Sequence, residues 1–313
     1  FIYRNDNDDE STELLEKLAK NKIITLIKNE MNPGVRPQAK VCVHMFSILK
    51  DILEYEWALV IDADEFVALN KYNFKKIGDY ISWVSKKYTD SIAINWKYMS
   101  SNDDYNFRNT LVTEKKNFIQ YNIIGAANNI VKSMSKPNKI MSSTAHNAVC
   151  PSRRNISYRL ANGIQHRYAH NSAGYSDNPM WADESHHEMI FILHYHYKSS
   201  EEFLLRLYRG DVLDKNYKKA VGIAMFDEHL MDTFIGQHEK HGETADDLFF
   251  VDTGMIKNKI NYMINSFDLH KEVKSIVDIT DSRIEFMEKV IVENYEQLGE
   301  KSKIFYEILK NKP

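Results

Sequence analysis

Three carboxylates fall within four positions in "VIDADEF", at Asp62, Asp64 and Glu65, directly after the apolar run from Ala58 to Ile61. Like charges this close repel one another unless a cation sits among them. Side chains alternate on an extended backbone, so Asp62 and Asp64 are expected on one side and Ala63 and Glu65 on the other. Two carboxylates at the end of a strand suit a hard divalent cation. Mg2+ takes one or two protein carboxylates and completes its shell with water and substrate phosphates. The competing reading is a solvated loop whose acids cap the next element, and spacing alone does not choose between the two.

A second chemical stretch, "HYHYKSSEEF" from His194 to Phe203, follows the apolar run "MIFIL". His194 and His196 share one face of an extended segment, Tyr195 and Tyr197 the other. A histidine here supplies a further metal ligand beside Asp62 and Asp64, and Lys198 supplies a countercharge for a phosphate. The alternative is that the histidines are hydrogen-bonded within the sheet. A helix cap at Ser199 or Ser200, with Glu202 in the first turn, is expected either way. The acidic stretch "NDNDDEST" is not a calcium loop, because Ser11 and Lys17 stand where glycine and glutamate are required. It reads as a polar strand-to-helix turn. No P-loop, dinucleotide fingerprint, nucleophile elbow or H-E-x-x-H is present.

The elements that must position these residues follow from periodicity. Strands are predicted at Phe1 to Tyr3, Ile23 to Ile27, Ala58 to Ile61, Ser91 to Trp96, Ile130 to Met134 and Met189 to Tyr197, with helices at Thr12 to Lys20 and Gln38 to Tyr55. Their alternation predicts an α/β fold with a mostly parallel sheet flanked by helices. In such sheets ligands bind beyond the carboxyl ends of the strands. Residues 151–185 lack periodicity and read as an irregular functional segment. From about Asp211 the pattern is helical, with Ile284, Met287, Ile291, Tyr295 and Leu298 forming one apolar stripe. Two regions are therefore expected, a core over 1–210 and a helical appendage over 211–313.

Of the 313 residues, 41 are Lys or Arg and 44 are Asp or Glu, so no global field draws the chain to nucleic acid. Cys42 and Cys150 are too few for a disulfide framework and favour a reducing compartment, although a single bridge stays open. No apolar run is long enough for a transmembrane helix. The expected location is cytoplasmic, with peripheral contact at the inner face of a membrane left open, as is a homo-oligomer. Phe1 is not an initiator methionine, and "FIY" reads as a strand already under way.

Taken in order, "YRNDNDD", "RPQAKVCVHMF", "WALVIDADEF", "INWKYMSS", "VKSMSKP" and "LHYHYKSSEEFLLRLYRG" resemble the bacterial glycosyltransferases of GT-A (Rossmann-like) fold in the family-2-like group close to glycosyltransferase family 92. The resemblance spans Phe1 to Gly210 and is carried by the combination of motifs. It implies a nucleotide-sugar donor, a glycan or glycolipid acceptor, and Mn2+ or Mg2+. Asp62 and Asp64 would face the donor, with Asp64 the stronger metal ligand and Asp62 nearer the ribose. His194 would be the late metal ligand and Lys198 would lie near the diphosphate. Asn5, Asn7 and Asp9 match the early turn beside the nucleotide, Gln38 a glutamine opening the next helix, and Lys132 the lysine of the V-K-S strand. The chain departs from the pattern at Asn7, where the family has serine, and at "KYMSSNDD", which lacks glycine. The family pattern also places a strand and helix of about 30 residues before the position matching Phe1.

The function expected on this basis is hexose transfer from a nucleoside-diphosphate sugar, a uridine one by preference, to a glycan hydroxyl with inversion. Inversion needs a carboxylate base. Glu114 in "LVTEKKNF" is the first candidate, Asp183 and Glu184 the others, and Trp181 is a candidate for stacking on a sugar ring. The rival functions are a metal-dependent phosphoester hydrolase using the same Asp and His ligands, and a catalytically inactive carbohydrate-binding protein.

Overall fold

The computed structural model describes residues 1–5, 10–30, 37–99, 111–114, 130–144, 146–149, 156–165, 186–196, 198–209, 226, 228–238, 249 and 253–310. The fold is mixed α/β. A two-stranded parallel ribbon, β1 (Ile2–Arg4) with β2 (Leu26–Lys28), flanks the long α1 (Ser11–Lys20) between them. The main sheet has the order β3-β6-β5-β10-β4, from β3 (Ala58–Leu59), β4 (Glu65–Leu69), β5 (Ser91–Tyr98), β6 (Val131–Ser135) and β10 (Ile190–His194). β9 (Tyr158–Leu160) joins the first half of β5 on the edge that β10 occupies further along. A small hairpin, β7 (Ser142–Ser143) with β8 (Ala148–Val149), stands apart.

This sheet is not mostly parallel. β3·β6, β5·β6 and β4·β10 are antiparallel, while β5·β10 and β5·β9 are parallel. Nothing in local periodicity sets the direction of β6 against β3 and β5, and β4 is too short to stand out from the acidic turn before it. Its residues "EFVAL" pair antiparallel with β10 immediately after the acidic segment, so two strands are joined by a turn where one strand followed by a loop was expected. β9 likewise falls inside the stretch expected to be irregular, its periodicity hidden by only three residues of pairing.

The centre of the sheet reads as the sequence suggests. β5 and β10 are buried on both faces, which is why they are near-continuous apolar runs. Ile92, Ile94, Trp96 and Tyr98 of β5 and Ile190 and Ile192 of β10 fill one face with Tyr80 and Val84 of α3 (Ile77–Ser85), each such side chain contributing roughly 1.5–3 kcal/mol by leaving water. The other face holds Phe191, Leu193 and Tyr195 with Ala68 and Met99. The serines of β6 are buried yet satisfied: Ser135 Oγ lies 2.7 Å from Ser91 Oγ on the neighbouring strand, and Ser133 Oγ 2.7 Å from the Tyr158 hydroxyl.

The helix expected over Gln38 to Tyr55 breaks into pieces. α2 (Pro37–Val43) passes into a wider turn over His44–Ile48, where Leu49 N–H donates to His44 O, and a tight helical turn follows at Lys50–Glu54. Leu49 itself is extended, which ends the first helix.

The C-terminal helices have their own core. Phe203, Leu204 and Leu207 of α4 (Ser200–Arg209) pack with Met231 and Phe234 of α5 (Glu228–His238), Ile284, Met287 and Ile291 of α7 (His270–Glu293), and Phe305 of α8 (Glu300–Lys310). The predicted stripe is thus present, although Tyr295 lies in a helical turn beyond α7 and Leu298 is the extended residue that ends that turn. α4 belongs to this cluster by packing and runs on from β10 in sequence, linking the sheet to the helices. The β1–β2 ribbon is linked to the same helices through the ion pair of Lys17 on α1 with the buried Glu272 on α7, at 2.7 Å.

The connection from β3 to β4 constrains the whole sheet. The two strands lie at opposite edges, four strand spacings apart, or ~19 Å in a flat sheet. Residues 60–64 must bridge them, and a hydrogen-bonded turn from Asp62 to Glu65 leaves a reach of only about 17 Å. The sheet therefore curls, bringing its edges together at the end where this segment crosses.

Candidate functional site

The segment Asp62-Ala63-Asp64-Glu65 is a turn. Glu65 N–H donates to Asp62 O and Asp62 N–H donates to Glu65 Oε2, both at 3.1 Å. Strand alternation therefore does not apply, and the expected grouping of Asp62 with Asp64 against Glu65 is corrected. Asp62 and Glu65 converge on Lys132, whose ammonium lies 3.0 Å from Asp62 Oδ2 and 3.2 Å from Glu65 Oε2. Asp64 turns instead toward His194.

Lys132 reaches this point because β6 pairs with β5 in a register that sets Lys132 opposite Ile94, on the face of Ile92, Ile94 and Trp96. Its side chain is 1% exposed, and the ammonium sits 5.5 Å from the centre of the Trp96 ring. It is the positive partner that three neighbouring carboxylates require. Burial pushes Glu65 up to about 7 against the downward pull of Lys132. Burial also works to raise Asp62, but the Lys132 charge and the hydrogen bonds from Lys132 and Gln38 outweigh it, so Asp62 is held below the usual carboxylate range. Gln38 Nε2, from the first turn of α2, donates to Asp62 Oδ1 at 2.8 Å. Cys42, one turn further along, is a free thiol that burial raises to about 11.

His194 ends β10 directly opposite Glu65 in the antiparallel register, and its Nε2 is 3.9 Å from Asp64 Oδ2. The ring lies among aromatic neighbours, with centroids 4.3 Å from Trp96 and 4.8 Å from Tyr98. Burial, reinforced by Lys132, lowers His194 to about 3, so its imidazole is neutral at neutral pH. Its Nδ1 has no hydrogen-bond partner. Asp64 is raised by burial, with Lys198 pulling the other way.

A neutral imidazole nitrogen and a carboxylate oxygen 3.9 Å apart are too distant for a hydrogen bond but fit two donors on one divalent ion, which stand roughly 3–4 Å apart across it. Asp64 and His194 therefore suit Mn2+ or Mg2+. Asp62 suits it less, because both of its oxygens are already engaged. Among the described residues no set of three or more His, Cys, Asp and Glu side chains converges as a ready cage. Two protein ligands are enough when phosphates and water supply the rest.

Of the other expected site residues, Asn5 is tied to this region through Asn29, whose side-chain amide donates to Asn5 Oδ1 at 2.8 Å and lies 3.5 Å from Pro37 O at the start of α2. Lys198 is 3.5 Å from Glu202 Oε1 one turn along α4. Glu114 is placed differently. Its carboxylate is 2.5 Å from Lys257 of α6 (Thr253–Ser266), and Val112 beside it packs on the sheet face opposite that of His194. Asn7, Asp9, Asp183, Glu184 and Trp181 lie outside the described residues.

The sequence reading missed Glu65 as the second anchor of Lys132, and missed Trp96 and His146 as neighbours. His146 Nδ1 is 3.1 Å from Val131 O and its ring centroid 5.0 Å from Trp96. The alternation of Ile92, Ile94, Trp96 and Tyr98 was a legible signal for Trp96, whereas nothing around His146 marks it. Shallow surface clefts also occur beside Lys17 and Glu272 and beside Asp90 and Lys136 at the far end of the sheet. Protein-family models yield no match to the chain, and no curated protein matches it.

Proposed function

We propose that the chain is a metal-dependent glycosyltransferase that moves a hexose from a nucleoside-diphosphate sugar, a uridine one by preference, to a glycan hydroxyl with inversion. One observation carries the reading: Asp64 and His194 approach to 3.9 Å at one end of the sheet, beside an Asp62 held ionised by Lys132 and Gln38. When bound, Mn2+ or Mg2+ supplies positive charge that offsets the charge developing on a departing diphosphate. Asp64 and His194 would hold it.

The chain's own residues do the remaining work. Lys132 fixes Asp62 in one orientation, and the outward edge of that carboxylate, which is 42% exposed, accepts a hydrogen bond from a ribose hydroxyl. Gln38 locks the same group from the other side. Lys198 stands near enough to Asp64 to shift its proton affinity, and so lies within electrostatic reach of a phosphate held there. The base that takes the acceptor proton is assigned to Glu114 or Asp183. For Glu114 this requires exchanging its Lys257 partner for the acceptor hydroxyl.

Asp64→Ala tests the assignment. Calorimetry with uridine diphosphate sugars is expected to show Mn2+-dependent binding to the wild type and none to the variant, with an unchanged circular dichroism spectrum. Normal affinity in the variant overturns the metal assignment. Cleavage of simple phosphoesters without any sugar donor identifies a hydrolase, and glycan binding that ignores metal identifies an inactive lectin-like protein.

A further inference from the structure

We propose that His146 is a specificity residue of the nucleotide-sugar pocket, its Nε2 accepting a hydrogen bond from a hydroxyl of the sugar nucleotide; this rests on the reading above. His146 lies in the turn of the β7–β8 hairpin, which is closed without its imidazole. Thr144 N–H donates to Asn147 O at 2.7 Å, and Thr144 Oγ1 accepts from the His146 and Asn147 N–H groups at 3.1 and 2.8 Å. Ser133 Oγ of β6 donates to His146 O at 2.8 Å. The imidazole adds a separate tie, with Nδ1 3.1 Å from Val131 O. A carbonyl only accepts, so Nδ1 carries the proton and Nε2, across the ring, keeps a lone pair directed away from β6. Burial first, then the Lys132 charge, holds the ring below the ordinary imidazole range, so that lone pair is available at neutral pH. Nε2 has no hydrogen-bond partner among the described residues. The ring also stands edge-on to Trp96. The tie to Val131 therefore orients a ring that the hairpin does not need, as expected of a preorganised ligand contact.

Trp96 places that contact in the site. Its ring is the common neighbour of the His146 ring at 5.0 Å, the His194 ring at 4.3 Å and the Lys132 ammonium at 5.5 Å. Trp96 Nε1 is itself buried without a partner among the described residues. Lys132 and Asp62 both act on the proton affinity of His146, which puts its ring within electrostatic reach of the Asp62 carboxylate. That carboxylate, already flanked by Lys132 and Gln38, has one outward edge for a ribose hydroxyl. Ribose presents two adjacent hydroxyls, and His146 supplies an acceptor for the second. A hydroxyl of the hexose offers the same chemistry.

The test is calorimetry with Mn2+ on the full chain, using uridine diphosphate, its 2′-deoxy and 3′-deoxy analogues, and uridine diphosphate glucose. His146→Asn keeps a donor near the Nδ1 position and removes the Nε2 acceptor, whereas His146→Gln keeps an acceptor near Nε2. His146→Asn is expected to weaken uridine diphosphate about fivefold with unchanged circular dichroism, and His146→Gln to restore most of the loss. One deoxy analogue is expected to bind His146→Asn as it binds the wild type, which identifies the hydroxyl. A loss confined to uridine diphosphate glucose places the same contact on the hexose. Both variants binding every ligand like the wild type overturn this inference alone. So does an equal loss for all four ligands that His146→Gln does not restore, which marks a purely structural tie. A wild type that binds none of the four overturns the sugar-transfer reading and this inference with it.

Discussion

Replacing Lys132 by methionine removes the only cation that faces Glu65 among the described residues and leaves the surrounding apolar volume nearly filled. Glu65 already sits at about 7, against 4.5 for an ordinary glutamate, so its folded form favours the proton. The stability this group contributes is complete below pH 4.5 and declines as pH rises toward 7. In the wild type that decline amounts to roughly 3 kcal/mol and then levels off, because above pH 7 the ionised carboxylate is held by Lys132. In Lys132→Met only the Asp62 N–H still faces it, without a countercharge, and the Glu65 side chain is fully buried, so no solvent screening softens the penalty. The decline then continues at about 1.4 kcal/mol per pH unit. The deficit of the variant relative to wild type is therefore expected to grow by roughly 2 kcal/mol between pH 7 and pH 9. Urea unfolding followed by circular dichroism at several pH values in that window measures it. The double variant Lys132→Met with Glu65→Gln is expected to lose this extra slope. Parallel stability curves for wild type and Lys132→Met across the window would refute the charge clamp.

Glu114→Gln is expected to keep donor binding and lose turnover at least a hundredfold, read from single-turnover kinetics; unchanged turnover passes the role to Asp183. Ser91→Ala leaves the buried Ser135 hydroxyl without its partner and is expected to cost about 1–3 kcal/mol, whereas Ser91→Ala with Ser135→Ala costs less than the two single changes added together. Phe234→Ala removes a ring stacked 4.4 Å from Phe203 and edge-on to Phe305 at 5.3 Å, and is expected to destabilise the protein by about 3–5 kcal/mol in chemical denaturation.

What could be read from the sequence was whatever depended on local pattern. β5, β6 and β10 announce themselves as apolar runs, α1 and α7 as amphipathic repeats, and Gln38, Asp62, Asp64, Lys132 and His194 all come together at one end of the sheet. What could not be read depended on partners distant in the chain. β4 is a short strand whose antiparallel neighbour lies more than a hundred residues later, so no local pattern specifies its direction. The side on which Glu65 falls was decided by one hydrogen-bonded turn that overrode the two-residue alternation. The division of labour among the carboxylates followed from Lys132, which selects Asp62 and Glu65 and leaves Asp64 to His194.

The short span from β3 to β4 acts as a tether drawn across the mouth of a bent plate. Swelling or shrinking the packing beneath that plate, at Ile92, Ile94 or Tyr80, changes its bend and so slackens or tightens the tether. The spacing of Asp64 from His194 is insulated from that bend, because Tyr195 N–H donates to Asp64 O at 2.9 Å and Glu65 stands opposite His194 in the strand pairing, so the tension falls on residues 60–63.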